Sequence, residues 1–444
     1  MKIGHSSQPV ESHLITATIG RLRRAAAFLT GLEIWIVGGA IAVSVVYPRF
    51  LSVAVGVAAA YWPIRWVGTA RLSRRTPVDW AVFLLILMIP VTLWATALPE
   101  VTTPQILRLL TGIALYYTIV NWSFTESRLR LLVAGFILVG LGLALAAPFS
   151  VQWFTTEKLA FIPTAIYDHF TIIVSDTIHP NLLGGFLAIF LPVGLALLVF
   201  NWRGFSKLFI GGILIILSIM IGFLILTKSR GGWLAFGAVL VLLSILRWRR
   251  GWLALAATGV GSAVAIYFIG LIPLLNAFSS SEAISGIDGR IEIWSRAIYM
   301  IQDFPFTGIG MGSFMQVADT LYPFFLMSPG TIIHAHNLFL QIALDLGLPG
   351  LIAWLAIFLL VIIAAWQVHK LGKVEHNGWV AGLGAGLLGS QLALTIHGLT
   401  DAVTWGLVRP APLVWAFWGL AIASWYVYVF AENKSPDTRQ INRD

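Results

Sequence analysis

Runs of roughly twenty apolar residues recur along the whole of this 444-residue chain, and about 20 is the length a helix needs to cross a lipid bilayer. The hydrocarbon offers no partner for backbone N–H and C=O groups, so a crossing segment must pair them internally, as a helix does. The runs cover residues 28–46, 51–67, 80–98, 106–122, 129–147, 181–200, 208–227, 232–246, 252–272, 338–366, 379–397 and 413–430. Two longer polar stretches, 148–180 and 273–334, interrupt them. The expectation is an all-α polytopic membrane protein with about twelve transmembrane helices. Residues 1–27 and 431–444 would be its cytoplasmic tails, around a membrane domain at 28–430.

Composition agrees: 58% of the residues are hydrophobic and only 11% charged, against about 25% charged in soluble domains. A large separate soluble domain, a disordered chain and a nucleic-acid-binding module are excluded. The net charge of +9 would suggest nucleic acid in a soluble chain. In a membrane chain it reflects the excess of Lys and Arg in cytoplasmic loops. The chain has no cysteine, so it has neither disulfides nor thiolate metal ligands. About 27 mostly polar residues precede the first apolar run, and no small-residue cleavage site follows it, so no cleavable signal peptide is expected.

The basic residues test the count. With a cytoplasmic N-terminus, twenty of them fall on the inner side and seven on the outer, while Arg108 lies within a run. Every inner connection between runs carries at least two, so both termini are expected to be cytoplasmic. The seven outer cations are Arg49, Lys158, Lys228, Arg230, Arg290, Arg296 and Arg409. Ionisable groups beside apolar spans are costly and point to function. In the second polar stretch, Ile291, Trp294, Ile298 and Ile301 recur at helical spacing, which predicts a short amphipathic helix on the membrane surface or over a cavity.

Five constellations carry possible chemistry. Lys228-Ser229-Arg230-Gly231-Gly232 reads as a phosphate or pyrophosphate clamp, because a guanidinium fork fits phosphate oxygens, or as a helix-end anchor whose cations snorkel to the interface. In Asp288-Gly289-Arg290, Arg290 either adds a second cation to that anion or pairs with Asp288 across a turn. His334-Ala335-His336-Asn337 offers a histidine suited to general-base work near neutral pH, with Asn337 as a helix cap. Its two histidines are not expected to share a metal, because residues two apart on a helix face different ways. Further on, Gly347 and Pro349 should break the tenth run, with Asp345 satisfying the freed backbone. In His179-Pro180-Asn181, Asn181 reads as a helix cap or a substrate contact. His397, Asp401 and Arg409 either close the same cavity or form an interfacial Asp–Arg pair. No GxxxxGK[ST] loop is present, against direct nucleotide hydrolysis. Acids within the runs are few, mainly Glu33 and Asp345, against a proton-coupled pump.

Four of these pieces, in order, resemble the superfamily of O-antigen ligases and O-antigen polymerase-like bacterial membrane glycosyltransferases. They are His179-Pro180-Asn181, Ser229-Arg230-Gly231, the block from Gly289-Arg290 through Trp294 to Pro305-Phe306-Thr307-Gly308-Ile309-Gly310-Met311-Gly312, and the block from His336-Asn337-Leu338-Phe339-Leu340-Gln341 to Leu346-Gly347-Leu348-Pro349-Gly350. The resemblance covers about residues 171–351, and the first five runs match only as hydrophobic helices. Asp345 stands where the family often has Glu.

The resemblance implies a GT-C-like helical fold in the bacterial inner membrane, with a periplasmic active site under a long periplasmic loop. It implies transfer of a glycan from an undecaprenyl-diphosphate carrier to an acceptor hydroxyl, inverting and without metal or cofactor. The acceptor would be lipid A-core in a ligase or another glycan repeat in a polymerase. It also implies that Arg230, Arg290 and His336 are catalytic, while Asp401 matches only by its place near the last outer loop. From the constellations themselves, Lys228, Asn181, Asn337, Asp401 and Arg409 are expected to join the two arginines around the substrate. The competing reading, a lipid-linked sugar transporter, needs polar residues through the full membrane depth. Here the unusual charges collect on one side.

Overall fold

The computed structural model describes residues 8–151, 179–271, 273, 287–402, 404–406 and 408–430. The regular structure among them is helical. The helices are α1 (Gln8–Gly31), α2 (Glu33–Val46), α3 (Leu51–Thr69), α4 (Asp79–Ala95), α5 (Pro99–Trp122), α6 (Glu126–Ser150), α7 (Pro180–Asn201), α8 (Lys207–Leu226), α9 (Arg230–Arg247), α10 (Trp252–Ile269), α11 (Ile287–Asp303), α12 (Phe314–Leu321), α13 (Leu338–Val374), α14 (Gly378–Thr400) and α15 (Val414–Ser424). The apolar runs fall on these helices, the first across the α1–α2 bend and the last on α15 and its helical continuation to Phe430. Nine helices among the described residues are long and apolar enough to cross a membrane, and α1–α2, bent by 52°, adds a tenth. α4 is shorter. This is the build of a polytopic membrane protein.

Polar residues set several helix starts. Thr125, Ser206, Ser229, Asn337 and Asn377 each accept a backbone N–H from the first turn they precede, which satisfies donors that have no helical partner. Much of the expected N-terminal tail is helical, as α1. α2 and α3 are tied by a buried ion pair, Arg65 Nε to Glu33 Oε2 at 3.7 Å. The expected tail 431–444 and most of the first polar stretch lie outside the described residues.

The core is built around α14, which packs against α7, α13 and α9. Its sequence is rich in Gly and Ala, and small residues let helices approach closely where lipid supplies no hydrophobic drive. A Cβ on Gly386 would lie 2.6 Å from Val193 Cα, and one on Gly384 2.3 Å from His369 N. α7 and α14 are almost wholly buried, whereas no residue of α10 is. Its apolar side chains suit a lipid-facing surface.

Two features position the site. First, the 37 residues of α13 would make a straight helix about 55 Å long, well beyond a hydrocarbon core of about 30 Å. The helix is broken at Gly347 (φ 69°, ψ 178°), as the Gly and Pro of that stretch predict. Residues 305–309 fill the break: Ile309 N–H donates to Leu344 O at 2.7 Å, and Leu348 N–H to Pro305 O at 2.7 Å. The Thr92 hydroxyl donates to Asp345 O at 2.8 Å. The freed carbonyls are therefore taken by this loop and Thr92, not by the Asp345 side chain as expected. Second, α11 packs through Ile293, Ala297 and Met300 onto Phe314, Ile332, Ala335 and Leu344. Glu292 secures it, accepting the N–H groups of Phe325 at 2.6 Å and Leu326 at 3.0 Å.

Candidate active site

Five chain segments meet at one end of the bundle. α14 ends at Thr400, and Asp401 follows in extended conformation. Its carboxylate is buried, with Oδ1 3.5 Å from His334 Nε2 and 3.7 Å from His336 Nδ1. Asn181, in the first turn of α7, donates from Nδ2 to Asp401 Oδ2 at 3.4 Å. Its expected role as helix cap falls instead to His179, whose Nδ1 accepts the Asn181 N–H at 3.1 Å. Arg290, on α11, donates from Nη1 to Thr400 O at 2.7 Å. It pairs with the end of α14 rather than with Asp288 across its own turn.

The histidine segment is not helical. His336 adopts φ 48°, a left-handed conformation uncommon outside glycine, and its N–H donates to His334 Nδ1 at 3.1 Å. The two rings lie 4.2 Å apart. The helix-face argument that separated these residues therefore fails. His334, His336 and Asp401 bring ligand atoms within 4.8 Å of one another, and they are the candidate cation ligands among the described residues. Their side chains differ in access: 7% of His334 is exposed against 26% of His336. His336 is the more exposed of the two.

Arg230 opens α9 after the Ser229 cap, whose Oγ accepts the Gly232 N–H at 3.2 Å. Glycines bring this helix start into the cluster. A Cβ on Gly231 would meet Thr400 Oγ1 at 2.7 Å, one on Gly184 would meet Ser229 Cβ at 2.5 Å, and one on Gly185 would meet His397 Cε1 at 2.5 Å. Thr400 thus takes Arg290 on its carbonyl and the Arg230–Gly231 step against its hydroxyl. Neighbouring Lys228 is exposed, with φ 47°.

The electrostatics follow from this packing. Burial alone would raise the Asp401 carboxyl. His334, His336, His397 and Arg290 outweigh it and hold the group below its usual range, so it is a carboxylate at neutral pH. Burial pulls His334 down, and Arg290 adds to this against Asp401. Burial, aided by His334, Arg290 and His179 and opposed by Asp401, lowers His336 to about 3. Both imidazoles are neutral at working pH, the form a general base needs. Burial lowers Arg290 and Asp401 opposes it.

Two expected substrate ligands are engaged elsewhere. Asn337 Oδ1 accepts the Phe339 and Leu340 N–H groups at 3.0 and 3.1 Å, and its Nδ2 donates to Leu399 O at 3.3 Å. Its amide fastens α13 to α14. Arg409 donates to Val46 O at 3.3 Å, at the end of α2. The reading of Asp401 and Arg409 as a pair gives way to Asp401 facing three histidines and Arg290. Sequence reasoning missed the roles of His334 and of the Gln341–Asp345–Trp405 contacts below. The Gln341–Asp345 spacing of four, one helical turn, was the available signal.

No curated protein matches the chain significantly. Residues 215–355 match the family model described as O-antigen ligase. That segment contains Arg230, Arg290, His334, His336 and the break in α13, so over this third of its length the chain is similar to the O-antigen ligases.

Proposed function

We propose that the protein is a membrane glycosyltransferase that moves a glycan from undecaprenyl diphosphate to an acceptor hydroxyl, with lipid A-core as the acceptor. The carrying observation is Arg290 and a neutral, partly exposed His336 gathered around the buried Asp401 carboxylate, with the Arg230–Gly231 helix start packed against Thr400. In this reaction the acceptor oxygen bonds to the anomeric carbon as the bond from that carbon to the phosphate oxygen breaks, inverting the centre. The electron pair leaves with the diphosphate, and fixed cations stabilise the charge as it develops. His336 Nδ1 faces Asp401, which leaves Nε2 to take the acceptor proton. The imidazolium so formed lies beside the carboxylate, the arrangement that stabilises it in hydrolytic triads.

The test is transfer by the purified chain from a lipid-diphosphate-linked glycan to lipid A-core. Transfer to a second lipid-linked repeat instead would make it a polymerase of the same superfamily. No transfer to either acceptor would overturn the reading. The reaction is proposed to need no metal, since Arg290 stands against the only candidate ligand trio among the described residues. Excess EDTA should leave turnover unchanged. Loss restored by a divalent cation would assign His334, His336 and Asp401 to that cation.

The orientation proposed is twelve crossings, both termini cytoplasmic and the site periplasmic, supported by the distribution of basic residues. With no native cysteine, single cysteines at exposed Ser328 and Glu375 report cleanly. A membrane-impermeant thiol reagent should label Ser328→Cys and spare Glu375→Cys in intact spheroplasts. The opposite pattern would invert the topology.

A further inference from the structure

The proposed reaction makes no use of Asp345, yet this carboxylate is fully buried and surrounded by donors. Oδ1 accepts Gln341 Nε2–H at 2.9 Å and the Gly312 N–H at 3.1 Å. Oδ2 accepts the Trp405 indole N–H at 2.7 Å. These partners lead to the site from two directions. Gln341 turns its Oε1 to the N–H of Ala335, at 2.8 Å, the residue between the two histidines. Trp405 lies four residues beyond Asp401, in the segment that follows α14. The third partner, Gly312, belongs to the segment whose neighbour Met311 donates its N–H to the Thr92 hydroxyl at 3.1 Å.

A carboxylate suits this place because it accepts without donating. An amide of the same shape would turn an NH2 group toward one of the three N–H donors. The strained residue is close by: His336 sits at φ 48°, and such conformations persist where surrounding contacts over-determine them.

We infer that Asp345 is a positioning residue, which through Gln341 and Trp405 holds the histidine turn and the Asp401 segment in register. The inference rests on the transferase reading of the site. Asp345 touches no substrate, so its loss should act on turnover and spare donor binding.

The test compares Asp345→Asn, Gln341→Ala, Trp405→Phe and the exchange Gln341→Glu with Asp345→Asn, as full-length monodisperse proteins. Asp345→Asn should lower kcat about 100-fold, the scale of a misplacement near 1 Å. Affinity for undecaprenyl diphosphate should stay within about twofold of wild type, because Arg230 and Arg290 are untouched. Gln341→Ala should show the same split. The exchange should recover at least about tenfold of kcat, since a carboxylate at 341 accepts both the Ala335 N–H and the new amide at 345. If Asp345→Asn does not fold, Gln341→Ala and Trp405→Phe carry the test. Wild-type kcat in the folded variants, or a parallel loss of donor affinity, would overturn the positioning role. An inactive wild-type chain would overturn the transferase reading itself, so the two failures are distinguishable.

Discussion

Replacing His336 by alanine is expected to abolish most turnover while leaving the donor bound. General-base catalysis supplies about 100- to 10,000-fold, so kcat should fall by that range. Affinity for undecaprenyl diphosphate should hold, because a neutral imidazole contributes little to an anion. The wild-type pH profile offers a second check. The His336 imidazole is held at about 3, below its ordinary 6.5, so its neutral form survives as the pH falls through 6.5. The acid limb of kcat/KM, which reports the free enzyme, is therefore expected below pH 6.5, and it should vanish in His336→Ala. An unchanged kcat in the variant would move the base to His334 or Asp401. Donor binding and turnover are measured separately, with monodispersity in detergent as the check on folding.

Arginine replacements should fail differently. The diphosphate is charged before and during reaction, so Arg290→Ala and Arg230→Ala should weaken both binding and turnover. Hydrogen bonds to charged groups contribute about 1.5–3 kcal/mol, or roughly 10- to 100-fold in donor affinity for each. Lysine at either position should restore only part of the loss, since it keeps the charge but not the planar fork. Arg290→Ala carries a further cost, because it strips the Thr400 carbonyl of its donor at 2.7 Å and removes a cation acting on Asp401. Full donor affinity in both alanine variants would remove the pyrophosphate clamp and the principal support for the mechanism.

The helices were legible because hydrocarbon imposes a length and an apolar composition on whatever crosses it. Their ends were less so. The tenth run ended at 366 on hydropathy, but α13 continues to Val374. There His369 is buried with Nδ1 against Ala381 O at 2.8 Å. Likewise α5 starts at Pro99, with Glu100 in its first turn, ahead of the apolar run at 106. Hydropathy marks the contact with lipid, whereas hydrogen bonding and capping decide where a helix stops.

Local motifs carried part of the site. The Asn337 cap and the Gly347 break follow from backbone chemistry within a few residues, and Arg230, Arg290 and His336 were singled out by type and position. The two histidines were misjudged because the argument assumed a helix that begins only at Leu338. Asn181 reads from the sequence as a cap or a substrate contact, but the helix is capped by His179 and the Asn181 amide meets Asp401.

The sequence by itself determined that this is a chain of membrane-length helices, because that property acts through composition over short windows. Only the tertiary structure decided that Asn181 meets Asp401 across 220 positions and Arg290 meets Thr400 across 110. Those meetings depend on how closely helices can approach, which is set by the glycines at 184, 185 and 231 and the backbone atoms and side chains they face. A hydropathy pattern records which residues avoid water, and in a bilayer nearly every face of every helix does so. The pairing of faces is therefore settled by small-residue contacts and buried hydrogen bonds.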